Sequence, residues 1–240
     1  MSERKTEELF LSEAKCAIGR NSFGHVYAQG DVRNIAAIAA LLRQAGGKPK
    51  DCTLDDYTSG GTGKGQPEFI LTFDNDAELL IVVECKALTN KHKSDDLSHP
   101  KDYAVDGALY YAKFLKQQYN VVAVAVSGTK KDNMRVSTYY WQRGFDRPQE
   151  LSRVNIILEP DNYQKYLRGE QITIAYSVEE IRATAVDMSN KLRVAKVTAN
   201  DKPIFIAGIL IALQNEDFSR EYSSASSLHS LTNRLHDAIS

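Results

Sequence analysis

The chain has 240 residues, of which 42% are hydrophobic and 25% are charged, and its formal net charge is −1. This length allows one or two domains with a sizeable core, and the composition is ordinary for a soluble globular protein. The near-zero charge excludes a protein coated in phosphate-binding groups, although a local basic patch would still allow a nucleic acid to bind.

Three features of the sequence indicate the cellular compartment of the protein. Residues 1–5 lack the apolar core of a signal peptide, and the run at 204–213 has about half the length needed to span a bilayer. Three cysteines at wide spacing form neither a disulfide framework nor a zinc-binding pattern. We therefore expect a cytoplasmic protein that does not enter a membrane.

The first predicted elements are helical. A charged helical stretch lies within residues 1–30, and Asp31 is the predicted cap of a second helix over residues 32–44. Apolar residues at helical spacing form a stripe on this second helix, and a pair of glycines ends it. A polar loop over residues 48–66 follows, and its last part is the glycine-rich run 60–65.

Two apolar runs, residues 69–73 and 79–83, predict a β-hairpin, because Asp74-Asn75-Asp76 between them is a turn signal. A helix over about residues 101–118 and a third apolar run at 121–126 come next. A strand that follows a helix in this way is typical of a parallel crossover. The core is therefore predicted to be a mixed sheet flanked by helices.

The remaining elements complete the predicted fold. A strand over residues 134–141 is expected at an edge of the sheet, and a capping box at 177–180 begins a helix. Further helices reach the end of the printed sequence. The predicted class is α/β, with a mixed sheet flanked by helices over residues 1–180 and a C-terminal helical segment over residues 181–240.

Charged side chains stand at the end of the predicted hairpin, where the chain is otherwise apolar. Side chains alternate along a strand, so Glu84 and Lys86 share one face and Cys85 points to the other. Pairing of the two strands would bring Glu68 close to Glu84. Two acids and a lysine at one strand end predict a site for a hard cation, with an adjacent base or charge stabiliser. The alternative is a strand end whose charges face water.

The order Pro67-Glu68 followed by Glu84-x-Lys86 resembles the active-site signature of the PD-(D/E)xK nuclease superfamily, with Glu where Asp is commoner. This resemblance implies that the mixed sheet is a restriction-endonuclease-like core. The resemblance implies that Glu68 and Glu84 hold Mg²⁺, for which Mn²⁺ can substitute. It also implies that the backbone carbonyl of Cys85 completes the ligand set. Lys86 would orient the attacking water or offset charge that develops on the phosphate.

Residues 60–130 resemble the N-terminal nuclease domain of type IIG restriction–modification enzymes, above all at 65–70, 103–112 and 124–128. In that family one chain carries a nuclease, a helical connector and an N6-adenine methyltransferase. The resemblance implies double-stranded DNA as substrate, residues 181–240 as connector, and methyltransferase and target-recognition portions in a longer chain. Neither an Asn-Pro-Pro-Tyr-like tetrapeptide nor a glycine-rich cofactor loop occurs here, so methyl transfer is not expected of these residues.

Three basic residues are candidates for contact with nucleic acid. Lys64 lies in the glycine-rich run, which lacks the spacing of a Walker A motif and is predicted to be a flexible loop near the site. Arg135 and Arg143 share one face of the predicted strand with Tyr139 and Trp141, a pattern that suits phosphate and base contacts. An ordinary half-buried edge strand explains the same pattern equally well.

Other polar residues carry weaker signals. Asp106 and Tyr110 keep the spacing of a Gln-x-x-x-Tyr pair found in several nucleases of the superfamily, but core packing is the preferred interpretation of Tyr110. His92 and His99 lie in a polar loop without metal-binding spacing and are predicted to be exposed. The acidic candidates for a supporting role on the first helix are Glu7, Glu8 and Glu13.

Three hypotheses follow. The first is a Mg²⁺-dependent DNA endonuclease domain of the restriction–modification type, with Glu68, Glu84 and Lys86 as catalytic residues. The second is a non-catalytic nucleic-acid-binding or scaffolding module that keeps a nuclease-like fold. The third is another nuclease of the superfamily, such as a repair or junction-resolving enzyme. The presence of all three charged residues favours a nuclease.

Overall fold

A computed structural model of the protein describes residues 3–31, 35–56, 61–172, 178–215, 217–218 and 227–239. The chain divides into two compact units, Met1–Gln171 and Ile172–Ser240. The predicted domains differ from these units: we predict a nuclease-like domain over residues 1–180 and a connector over residues 181–240. This division stays a prediction. None of the described helices is both long enough and apolar enough to cross a membrane.

The first unit is built on a seven-stranded mixed sheet, in which the strands lie side by side in their chain order. The strands are β1 (Gly19–Arg20), β2 (Gly24–Ala28), β3 (Phe69–Phe73), β4 (Leu79–Lys86), β5 (Asn120–Ser127), β6 (Arg135–Trp141) and β7 (Gln149–Glu150). Neighbouring strands are antiparallel except for β4 and β5, which run parallel. The predicted hairpin and the predicted parallel crossover are therefore confirmed, as is the α/β class.

The helices of the first unit are α1 (Arg4–Glu13), α2 (Ala36–Ala45), α3 (Ala104–Leu115) and α4 (Pro160–Leu167). The second unit contains α5 (Val178–Val194), α6 (Lys202–Ala212) and α7 (Leu228–Ile239). The prediction for α2 was wrong at its start, because the cap position is Ile35 and Asp31 instead closes a turn onto the carbonyl of Ala28. Residues 32–34, and Ser177 of the predicted capping box, lie outside the described residues.

The main core lies between one face of the sheet and helices α2 and α3. Successive side chains of β3 point to opposite faces, so Ile70 joins this core while Phe69 faces the other way. On that second face the ring of Phe10, in α1, stacks on Phe69 at a centroid distance of 5.6 Å. Helix α3 is buried along its whole length because it packs against β4, β5 and β6 as well as against α2.

The position of β6 differs from the prediction. The short strand β7 pairs with β6 at Tyr139 and Tyr140, so β6 is not the edge strand. Tyr139 and Trp141 are buried in the main core, and the Trp141 indole N–H donates to the carbonyl of Phe145 at 2.9 Å. These two aromatic side chains therefore belong to the core, and because they are buried a nucleic-acid base cannot stack on them.

Candidate functional site

The hairpin brings the two predicted acids together at the end of the sheet. Phe69 pairs with Val83, and the same register continued by one residue sets Glu68 opposite Glu84. Both point toward the face that carries α3, and their exposed fractions are only 7% and 0%. The ladder between β3 and β4 ends at the Phe69–Val83 pair, whereas β4 continues to Lys86.

A third charged residue, Lys48, lies between these acids and was not singled out in the sequence. Its ammonium forms an ion pair with Glu84 and lies 3.9 Å from Oε2 of Glu68. The ring of Tyr111 lies 5.6 Å from the same nitrogen. Burial acts to lower the pKa of Lys48, but the neighbouring carboxylates more than offset it, so this pKa is raised. Lys48 is therefore a stable cation in the middle of the site.

Close contact between two glycine segments positions Lys48. A Cβ atom on Gly46 would lie 2.0 Å from the carbonyl oxygen of Gly61, and a Cβ atom on Gly61 would lie 1.6 Å from that of Gly47. The Gly61 N–H also donates to the carbonyl of Ala45 at 3.0 Å. The glycines in the described part of the predicted flexible loop thus allow backbone segments to approach each other; Gly60 lies outside the described residues.

Two carboxyl oxygens of the site are buried without a hydrogen-bond partner in the described part of the chain, Oε2 of Glu68 and Oε1 of Glu84. Burial, followed by the charge of Glu84, raises the pKa of Glu68 to about 9. Carboxylate oxygens are the donors that Mg²⁺ prefers, so these residues fit a hard divalent cation. The described residues contain no group of three or more His, Cys, Asp or Glu arranged around a metal position.

Lys86 lies beside the acids but has a partner from the other side of the sheet. Its ammonium is 3.0 Å from Oε1 of Glu3, just before α1. Thr6 anchors α1 here, because its hydroxyl donates to the carbonyl of Gly128 at 2.9 Å. The thiol of Cys85 is fully buried on the opposite face, as alternation predicts, and burial raises its pKa. The ligand role of its carbonyl stays a prediction.

An open cleft of about 620 Å³ begins at Lys86. Its charged lining is mixed and consists of Arg4, Lys86, Lys91, Lys101, Glu3, Glu7 and Asp102. Of the candidate acids on α1, Glu7 lines this cleft, and burial and then neighbouring acids, including Glu84, raise its pKa. Glu8 and Glu13 instead form ion pairs with Arg4 and Lys131, at 3.2 Å and 2.9 Å.

The three predicted nucleic-acid contacts are not brought together. Arg135 of β6 lies opposite Ser127 of β5 in the sheet, at the end of the sheet that holds the site. Arg143 follows the opposite end of β6, roughly 20 Å away along the strand, and lies 3.6 Å from Glu78. Lys64 lines a separate cavity of about 390 Å³ beside α2. Their contacts with nucleic acid stay predictions.

Asp106 and Tyr110 both have structural partners. The buried carboxylate of Asp106 accepts hydrogen bonds from both the N–H and the hydroxyl of Ser94 and from the N–H of His99. The hydroxyl of Tyr110 donates to the carbonyl of Ala45 and accepts from the N–H of Gly61 at 3.1 Å. The predicted core packing of Tyr110 is confirmed, and Asp106 holds the loop that precedes α3.

His92 is buried, so its predicted exposure was wrong. Its Nδ1 lies 2.9 Å from the hydroxyl of Ser127 and its Nε2 lies 2.9 Å from the hydroxyl of Ser137. Burial, and after it the charges of Arg135 and Lys93, lower the pKa of His92 to about 4. The imidazole is therefore neutral at pH 7 and joins the polar loop to two strands.

The depressed pKa of His92 predicts a pH dependence of stability. Between about pH 6.5 and pH 4, His92 binds a proton in the unfolded chain but stays neutral in the folded chain. The free energy of unfolding therefore falls as the pH falls. From pH 7 to pH 5 this contribution is about 2 kcal/mol. Urea unfolding at both pH values should show a smaller pH dependence for His92→Gln than for the wild type. Equal pH dependence in the wild type and in His92→Gln would contradict the assignment.

The chain is 26% identical over 177 residues to the type II restriction enzyme and methyltransferase RM.BcgI of Heyndrickxia coagulans. The match covers 66% of this chain but only 27% of that protein. No protein-family profile and no solved structure matches the chain. The chain is thus distantly related to a restriction–modification enzyme, which agrees with the resemblance at that level, while the PD-(D/E)xK assignment stays a prediction.

Proposed function

We propose that the chain is a Mg²⁺-dependent endonuclease domain of the PD-(D/E)xK type that cleaves double-stranded DNA. The observation that carries the proposal is the pair Glu68 and Glu84, buried side by side, each with an oxygen that has no hydrogen-bond partner among the described residues. Lys86 lies two residues further along the strand, at the start of an open cleft. The distant relationship to a restriction–modification enzyme supports the same proposed function.

The roles of the residues follow from their positions. Glu68 and Glu84 would hold Mg²⁺ or Mn²⁺, with the carbonyl of Cys85 as a third oxygen. A divalent ion bound there supplies polarisation of the phosphate and a more acidic water. Lys86 would donate to the attacking water or to a phosphate oxygen. The basic residues Arg4, Lys91 and Lys101 line the cleft next to it and would contact the phosphate backbone.

The proposal extends to the rest of the enzyme. The matched region covers only 27% of the relative, whose name includes a methyltransferase. We therefore propose that the domain works in the cytoplasm with methyltransferase and target-recognition portions of a longer chain. Those portions would select the DNA sequence, while the residues of this domain would cut it.

One observation favours the second candidate, a non-catalytic module that binds nucleic acid or serves as a scaffold. Lys48 places an ammonium between the two acids, at the position that a metal ion would need. In a module that has lost its metal, such a lysine would neutralise the acids permanently. The two candidates differ in one measurable property, because only the nuclease requires divalent cations to bind at Glu68 and Glu84.

The deciding experiment combines DNA cleavage with metal binding. Plasmid DNA is incubated with the wild type, with Glu84→Ala and with a Glu78→Ala control, with and without Mg²⁺ or Mn²⁺. We expect metal-dependent nicking that Glu84→Ala loses and that Glu78→Ala keeps, since Glu78 is exposed at the other end of β4. The same proteins are titrated with Mn²⁺ by calorimetry.

The outcomes separate the hypotheses. Cleavage that Glu84→Ala retains would contradict the assigned site. A folded wild type that neither binds Mn²⁺ nor cleaves DNA would contradict the nuclease and support the non-catalytic module. Metal binding that depends on Glu84 but comes without cleavage would mean that the remaining portions of the enzyme are required.

A further inference from the structure

Lys48 and a divalent cation would need the same ligands. The ammonium contacts Oε2 of Glu84 and faces Oε2 of Glu68 at 3.9 Å. Each of these carboxyl groups also has one oxygen without a hydrogen-bond partner in the described part of the chain. Two like charges held within a few ångströms in a buried site repel each other strongly. A divalent cation bound by both carboxylates is therefore incompatible with the Lys48 ammonium in its present position.

We propose that Lys48 is a resident counter-ion of the metal site, which competes with the divalent cation for Glu68 and Glu84 and withdraws when that cation binds. The inference rests on the proposed function, because it requires these two acids to be metal ligands. It assigns a role to a residue that lies outside the nuclease motif and reaches the site from the loop after α2.

The local structure allows the side chain to move while its backbone stays in place. The backbone of the loop is held by the close contacts of Gly46 and Gly47 with Gly61. The Lys48 side chain is a flexible stem with an exposed fraction of 14%, so part of it reaches solvent. Gly107 of α3 lies next to this stem, and a Cβ atom there would approach Cδ of Lys48 to 3.3 Å. The absence of a side chain at Gly107 lets this stem lie against α3.

Lys86 acts on Glu68 more weakly than Lys48 does in the metal-free state. Its ammonium is engaged by Glu3 at 3.0 Å, on the side of the sheet that carries α1. Lys48 is therefore the main cation beside Glu84 and Glu68 before metal arrives. Its removal should weaken the metal-free protein and, at the same time, release both acids for a divalent cation.

The experiment measures Mn²⁺ affinity by calorimetry, together with thermal unfolding with and without Mn²⁺. The variants are Lys48→Met, which keeps the stem and removes the charge, and Lys48→Gln, which keeps a donor for Glu84. We expect both to bind Mn²⁺ on the order of tenfold to a hundredfold more tightly than the wild type. Their unfolding temperature should be lower without Mn²⁺ and should rise more when Mn²⁺ is added. Lys93→Met, which removes a lysine bonded to Tyr139 and Glu150, is the matched control and should bind Mn²⁺ as the wild type does.

Each result has a defined meaning. Equal or weaker Mn²⁺ binding by the Lys48 variants, with binding by the wild type still dependent on Glu84, would overturn the competition and leave the proposed metal site standing. No Mn²⁺ binding by the wild type or by any folded variant would overturn the proposed function and this inference together. If Lys48→Met fails to fold without metal, refolding in Mn²⁺ and the affinity of Lys48→Gln decide the question.

Discussion

Replacing Lys86 by alanine should reduce DNA cleavage on the order of a hundredfold or more and leave the unfolding temperature within a few degrees of the wild type. Lys86 is the proposed donor to the attacking water or to the phosphate, so its loss removes stabilisation of the transition state. Its ion partner is Glu3, a half-exposed residue at the start of α1. Ion pairs of this kind contribute about 0 to 1 kcal/mol to the free energy of unfolding.

The measurements are plasmid cleavage at saturating Mg²⁺ and thermal unfolding of the same preparations. Lys131→Ala is the matched control, because Lys131 also pairs with a glutamate of α1, Glu13, at 2.9 Å. This control should keep both its cleavage rate and its unfolding temperature. Retained cleavage in Lys86→Ala would remove Lys86 from the reaction, and a drop of more than about 10 °C in unfolding temperature would make it a structural residue.

The second large effect is expected on stability, from Asp106→Ala. The carboxylate of Asp106 is buried and accepts three hydrogen bonds, from the N–H and hydroxyl of Ser94 and from the N–H of His99. Removing it leaves these donors without their acceptor, and each such loss costs about 1 to 3 kcal/mol. We expect Asp106→Ala to lower the free energy of unfolding by about 3 to 5 kcal/mol.

Urea unfolding at pH 7 measures this loss, with Asp106→Asn and the exposed neighbour Asp95→Ala as comparisons. Asp106→Asn keeps the shape and one acceptor oxygen, so its loss should be smaller. Asp95→Ala should stay within about 0.5 kcal/mol of the wild type. A loss below about 1 kcal/mol for Asp106→Ala would show that water replaces the carboxylate and that the loop before α3 does not depend on it.

The strands next to the site were predictable because their signals are local. Apolar runs with a turn between them predict both ends of β3 and the start of β4, which continues past the apolar run to Lys86. Alternation along β4 separates Glu84 from Cys85. Pairing of adjacent strands across a short turn then brings Glu68 to Glu84. The apolar stretch after α3 likewise predicted a parallel neighbour for β4.

Periodicity was less informative about which face of a strand is covered. It correctly placed Arg135, Tyr139 and Trp141 on one side of β6, but helix α3 and the adjoining core cover the two aromatic residues of that side. The polar surroundings of His92 in the sequence suggested exposure. Its partners, Ser127 and Ser137, lie on two strands that come near His92 only in the folded chain.

The sequence by itself determined the fold class, the strand pairings around the site and the meeting of Glu68 with Glu84, because these depend on side-chain alternation and on turns between neighbouring segments. Only the tertiary structure decided the charge balance of that site. Lys48 comes from a loop before the hairpin and Glu3 from the start of the chain, and both reach the end of β4 through packing between distant segments. Ion pairs of this kind carry no local sequence signal, since their partners are set by which segments the folded core brings together.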